Sequence, residues 1–110
     1  MIQVCVELQF TVTKYTNRQS PPPPVCVTVV KGTNAHDILI EASNQHPCYS
    51  VTTINTSYGR MIESICDIHP RRADKFYWIM YIDGKSASVG IDDLRPGDGS
   101  KLSFHFKKLN

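Results

Sequence analysis

Ile2-Gln3-Val4-Cys5-Val6-Glu7-Leu8-Gln9-Phe10-Thr11-Val12 is the stretch on which the reading of the fold turns. Its even positions, Ile2, Val4, Val6, Leu8, Phe10 and Val12, are apolar, while Gln3, Glu7, Gln9 and Thr11 are polar. Strand side chains alternate between faces, so this is a half-buried β-strand with Cys5 on its polar side. Asn17-Arg18-Gln19-Ser20 and the prolines Pro21 to Pro24 then break the pattern. Proline has no N–H for a ladder and favours an extended, stiff conformation, so this is a loop. Val25, Val27 and Val29 resume the alternation, with Cys26 and Thr28 on the opposite face. The two strands form a hairpin on which Cys5 and Cys26 face outward together.

Further along, Gly32-Thr33-Asn34 punctuates the chain, and Thr33 or Asn34 caps a helix with Asp37 in its first turn. Ala35, Ile38, Leu39 and Ala42 make one apolar stripe; the helix runs to about Asn44 and His46-Pro47 stops it. Tyr49 to Ile54 and Arg60 to Ile68 read as two strands around a polar turn, Asn55-Thr56-Ser57-Tyr58-Gly59. Centring that turn on Ser57 sets Cys48 opposite Cys66, on the side of Ser50, Thr52 and Ser64; Tyr49, Val51, Met61 and Ile65 form the apolar side. Phe76-Tyr77-Trp78-Ile79-Met80-Tyr81-Ile82 is apolar on both faces, as expected of a central strand covered on both sides. Asp83-Gly84 is a strong hairpin signal, returning Lys85 to Val89 as a short strand. Leu94-Arg95-Pro96-Gly97-Asp98-Gly99 turns into a last strand with Leu102, Phe104 and Phe106 inward. The order of elements predicts a single α+β domain over residues 1–110, with a sheet of hairpins packed on one amphipathic helix.

Composition agrees with one soluble core: 110 residues, 41% apolar and 20% charged. A chain of this length hides roughly two thirds of its unfolded surface, too little for two domains. No apolar run approaches the roughly 20 residues of a membrane span, and Met1-Ile2-Gln3-Val4-Cys5 lacks the pattern of a signal peptide. The net charge of +2 comes from dispersed cations, adjacent only at Arg71-Arg72 and Lys107-Lys108, so nucleic acid is not an expected partner. The four cysteines form no Cys-x-x-Cys pair, which argues for disulfides over zinc. Of the three pairings that four thiols allow, the strand pattern selects Cys5–Cys26 and Cys48–Cys66. Each closes a loop worth roughly 3 kcal/mol, and both imply an oxidising compartment, so the chain is expected to be secreted.

No catalytic constellation is visible. His36, His46, His69 and His105 share no spacing, and Asp92, Asp93 and Asp98 lack the calcium-loop ladder. Serines occur without a nucleophile elbow, and Glu7, Glu41 and Glu63 fall on separate elements. The expectation is a non-enzyme with no required cofactor and no metal. Asn55-Thr56-Ser57 is an N-glycosylation sequon. Tyr58 in a polar turn and Tyr77, Trp78 and Tyr81 on one strand are the informative aromatics. Trp78 either packs in the core or faces a ligand, since one helix covers only one of that strand's apolar faces.

Val51-Thr52-Thr53-Ile54-Asn55-Thr56-Ser57-Tyr58-Gly59, then Ile62-Glu63-Ser64-Ile65, Tyr77-Trp78, Asp83-Gly84-Lys85 and Gly90-Ile91-Asp92-Asp93, taken in order, resemble the C-terminal β domain of the cobalamin carriers: transcobalamin, intrinsic factor and haptocorrin. The resemblance spans essentially the whole chain. It implies a β-grasp-like, secreted domain that closes over one face of a corrin ring. Carried onto this sequence, it assigns ligand contact to Thr56, Ser57, Tyr58 and Gly59, and next to Tyr77, Trp78, Lys85, Ser86 and Ala87. The carriers also have a helical domain that supplies the rest of the site and, in some, a histidine to cobalt; no counterpart is read here. Cobalamin or a related bulky ligand is therefore expected to bind weakly without that helical partner. The alternatives are an extracellular module for a protein or glycan that has lost the corrin, and a chain from which the helical domain is merely missing.

Overall fold

The computed structural model describes residues 1–10 and 20–109. Thr11, Val12 and Asn17-Arg18-Gln19, expected to end the first strand and open the loop, lie outside the described residues. The strands are β1 (Ile2–Phe10), β2 (Val25–Val29), β3 (Val51–Thr56), β4 (Gly59–Ile65), β5 (Phe76–Ile82), β6 (Lys85–Ser86) and β7 (Lys101–Lys108). One helix, α1 (Ala35–Gln45), and two 3₁₀ turns (Pro47–Tyr49, Arg72–Asp74) complete the described elements. Five strands form a mixed sheet in the order β2-β1-β7-β5-β6, and β3 and β4 form a separate two-stranded sheet. The α+β class is as the sequence predicts.

β1 pairs antiparallel with β2, Cys5 opposite Cys26, and those cysteines are disulfide-bonded. On its other side β1 runs parallel to β7, from Cys5 opposite Lys101 to Phe10 opposite Phe106. The buried face carries Ile2, Val4, Val6, Leu8 and Phe10 of β1 with Leu102, Phe104 and Phe106 of β7. Against β1 and β2 packs α1, whose predicted stripe Ala35, Ile38, Leu39 and Ala42 is fully buried. Its start is the Asn34 cap, where the side-chain oxygen accepts from the Asp37 N–H at 2.9 Å. Burying an Ile or Leu side chain is worth about 1.5–3 kcal/mol, so this stripe holds the helix to the sheet.

Five expectations need correction. Phe76–Ile82 is not central: β7 is the middle strand, and β5 has only the two-residue β6 beyond it. Lys85–Val89 pairs only at Lys85 and Ser86. The Cys48–Cys66 disulfide is present, but not because the two face each other across strands. Cys48 lies in the 3₁₀ turn and Cys66 in a left-handed turn (φ 56°) after β4, where its N–H donates to the Ser50 carbonyl at 3.1 Å. A register shift between Thr52 and Thr53 changes the phase of the hairpin, so Ile62 packs toward the core while Met61 is 58% exposed. Tyr49 belongs to the 3₁₀ turn.

Tyr49 is fully buried, and its hydroxyl faces the carbonyls of Pro23 at 2.7 Å and Val6 at 3.2 Å, tying the end of the proline run to β1. Burial, and then the charge of Glu7, push the hydroxyl from 10.0 up to about 12. The folded chain thus keeps a proton that the unfolded chain releases, so stability is intact below pH 10 and falls as pH rises toward 12. Tyr49→Phe is expected to cost about 1 kcal/mol at neutral pH and to show a shallower alkaline loss than wild type in urea melts. Parallel alkaline slopes for the two proteins contradict this assignment.

Candidate functional site

A two-residue β6 leaves most of the outer edge of β5 without a strand beside it. Arg71 and Phe76 exchange backbone bonds of 2.8 and 3.0 Å at one end, and the Ala87 N–H reaches the Met80 carbonyl at 2.9 Å at the other. Between these points the β3–β4 hairpin stands opposite β5, and the space between them is an open groove of about 580 Å³. Trp78, Met80 and Ile91 are its buried lining, Tyr77, Ile79, Ile62 and Ala87 its half-buried walls. The rim is apolar and exposed: Ile54 41%, Met61 58% and Val89 46%. Arg60, Glu63, His69 and Arg72 add polar groups.

Trp78 is packed into the core. Its ring lies 5.2 Å from that of Phe106, and its indole N–H donates to the buried Ile68 carbonyl at 2.8 Å. It nevertheless lines the groove from beneath.

The hairpin that forms the facing wall is anchored twice. Cys48–Cys66 holds its base, and Arg60 holds it near the tip. Arg60 donates from Nε to Asp92 Oδ1 at 2.8 Å and also from Nη2 to that oxygen, while its backbone N–H reaches Asp92 Oδ2 at 3.0 Å. Arg60 Nη1 lies 3.2 Å from His36 Nε2, and His36 Nδ1 lies 3.0 Å from Asp37. Arginine only donates, so His36 Nε2 accepts and its Nδ1–H is left to donate to Asp37. The side-chain bonds from Arg60, reinforced by its backbone N–H, hold the Asp92 carboxyl below its ordinary value, and Asp92 raises Arg60 in return.

At the tip, Thr56 stands opposite Gly59 with Ser57 and Tyr58 between them. Thr56 Oγ1 donates to the Gly59 carbonyl at 2.7 Å and accepts from the Tyr58 N–H at 3.1 Å. Gly59 sits at φ +109°, a conformation that side chains resist. The turn so fixed presents Tyr58, 97% exposed, to solvent.

The sequence-assigned site residues therefore fall in three places. Tyr77, Trp78 and Ala87 share the groove, Thr56, Ser57, Tyr58 and Gly59 form the hairpin tip, and Lys85 and Ser86 are exposed on β6. Asn55 of the sequon lies in β3, exposed, rather than in the turn. Ile54, Met61 and Val89 were missed, as was the Arg60–Asp92 pair. The only local sign of the rim was apolar residues at 54 and 61, where the assumed phase had placed Met61 inward. No group of three or more His, Cys, Asp or Glu that could hold a metal exists among the described residues.

A disulfide-linked α+β domain with a projecting hairpin over an open, ligand-sized groove is thus the class of molecule. The chain belongs to the family described as "Domain of unknown function (DUF4430)", whose model matches residues 29–108, and it is a transcobalamin-like domain as its sequence resemblance implies. It is 30% identical over 81 residues to the cobalamin binding intrinsic factor of Canis lupus familiaris, a match covering 73% of this chain and 19% of that protein. Haptocorrin in complex with Cbi shares the fold at a TM-score of 0.80 and 19% identity, over 99% of this chain and 25% of that one. A Ruminococcus gnavus protein described as a "putative metal binding protein" matches with a TM-score of 0.72 and 13% identity over 100% of both chains. At those identities the two structures establish fold alone. The chain spans about a fifth of the intrinsic factor and a quarter of the haptocorrin chain.

Because the folded Asp92 carboxyl lies below 3.8, the stability it contributes is present above that pH and is lost as pH falls below it. Asp92→Asn is expected to remove this acid-limb dependence and to speed amide exchange in β3 and β4 at neutral pH. Wild-type exchange rates in the hairpin of the variant contradict the clamp.

Proposed function

We propose that this domain is a secreted, non-enzymatic binding module that covers one face of cobalamin or a related bulky ligand. The groove beside β5 carries the reading. It joins an apolar rim, Ile54, Met61 and Val89, to a wall of Tyr77 and Ala87 over buried Trp78, with Tyr58 projecting from the hairpin that bounds it. Exposed apolar side chains clustered on a concave surface are the usual mark of a binding site. Kinship with a cobalamin binding protein supplies the ligand class. Two disulfides support an oxidising destination. An open groove encloses one side of a large ligand, and affinity depends on enclosure and preorganisation, so binding by this domain alone is weak.

The ligand contacts proposed are Tyr58 with Thr56, Ser57 and Gly59 at the tip, Tyr77, Trp78 and Ala87 in the groove, and Lys85 and Ser86 beside it. Trp78 acts there as the support of the floor.

Calorimetric titration of the oxidised domain with a soluble cobalamin is expected to show weak saturable binding. Tyr58→Ala should abolish it while shifting stability by less than about 0.5 kcal/mol, because an exposed tip residue has few contacts to lose. Trp78→Ala should instead destabilise the fold by about 3–5 kcal/mol. Absence of heat at millimolar cobalamin rejects the corrin reading and leaves a protein or glycan as the partner.

A further inference from the structure

The two dibasic pairs, Arg71-Arg72 and Lys107-Lys108, are far apart in sequence, but the sheet brings them to one end of the molecule. Phe76 is bonded to Arg71 on one side and stands opposite Lys108 on the other, so Arg71, Phe76 and Lys108 form one row across three chain segments. Lys75, in the left-handed turn that enters β5, accepts the Leu109 N–H on its carbonyl at 2.8 Å. Lys75 and Lys108 thereby line a second, shallow hollow of about 290 Å³ together with Asp74 and Leu109. Arg72 is exposed on the adjoining 3₁₀ turn. Lys107 points to the opposite face, where it meets the Tyr81 hydroxyl.

Counted with Lys107, this end holds five cations against Asp74, four net positive charges among the described residues of a chain whose net charge is +2. Positive charge is thus concentrated at this end; Arg72 also reaches the groove beside β5, whereas Lys75 and Lys108 line only the second hollow.

We propose that this basic end, with Arg72, Lys75 and Lys108 at its centre, is a docking surface for a sulfated glycan. The positive charge calls for a polyanion. The two disulfides place the chain outside reducing compartments, where nucleic acid and the anionic cytoplasmic leaflet are found; sulfated polysaccharide is the polyanion of the extracellular side. The sulfates pair with lysine and arginine donors around the hollow, and the contact is salt-sensitive because bound counterions are released.

Titration of the full chain with a heparin fragment at several salt concentrations tests this. Wild type is expected to bind at physiological salt. Lys75→Gln/Lys108→Gln should weaken binding at least tenfold and flatten the salt slope by about two, one for each lost ion contact. The charge-matched control Lys31→Gln/Lys101→Gln should leave affinity within about twofold. An equal loss in the control, no binding by wild type, or tighter binding to phosphatidylserine vesicles or single-stranded DNA than to heparin overturns the proposal. The cobalamin titration is independent of all these outcomes.

Discussion

The parallel pairing of β1 with β7 is the constraint on which the remaining structure depends. It places the beginning of the described chain beside its end: the Gly99 N–H donates to the Gln3 carbonyl at 2.8 Å, the Gln3 N–H to Asp98 at 2.8 Å, and the Cys5 N–H to the Ser100 carbonyl at 3.1 Å. Parallel neighbours cannot be joined by a tight turn, so a long connection must leave one end of the sheet and return. Here that connection contains every other element. It lays α1 over the apolar face of β1 and β2, and brings β5 in against β7 from the far side.

The groove follows from the same arrangement. Since β1 and β7 fill the middle of the sheet, β5 is pushed outward, and a β6 of two residues leaves its edge open. The β3–β4 hairpin does not pair with that edge but stands off from it, held by Cys48–Cys66 at its base and Arg60–Asp92 near its tip. A covalent link fixes position without demanding sheet pairing, and the ion pair fixes orientation. The space they keep open is lined by residues from both sheets, Ile62 and Met61 on one side and Tyr77 and Ile79 on the other.

Much of the architecture is legible locally. Alternation from Ile2 to Phe10 predicts a strand with one wet face, and Cys5 and Cys26 on that face predict their bond. Thr33-Asn34 before Asp37 marks the helix start, because a capping side chain there satisfies an orphan N–H, and the structure uses Asn34. Asp83-Gly84 marks a turn, both residues adopting positive φ. Less was legible of the site. The residues at the hairpin tip and on β5 stand where their elements put them, but the outward turn of Met61 onto the rim depends on a register shift at Thr52/Thr53 that no side chain announces.

Sequence alone thus determined where most strands and the helix fall, the Cys5–Cys26 bond and the family, because these rest on periodicity, turn chemistry and ordered motifs within short windows; Cys48 and Cys66 were paired correctly, but on a register the structure does not have. Tertiary structure alone decided that Phe76–Ile82 borders a groove instead of filling the middle of the sheet, that Trp78 packs on Phe106, and that Arg60 finds Asp92. It also decided that two distant basic pairs share one end of the molecule. The physical reason is common to all four: a strand's neighbours and an ion pair's partner are set by strand order, and strand order is a property of the whole chain's packing that no local pattern encodes.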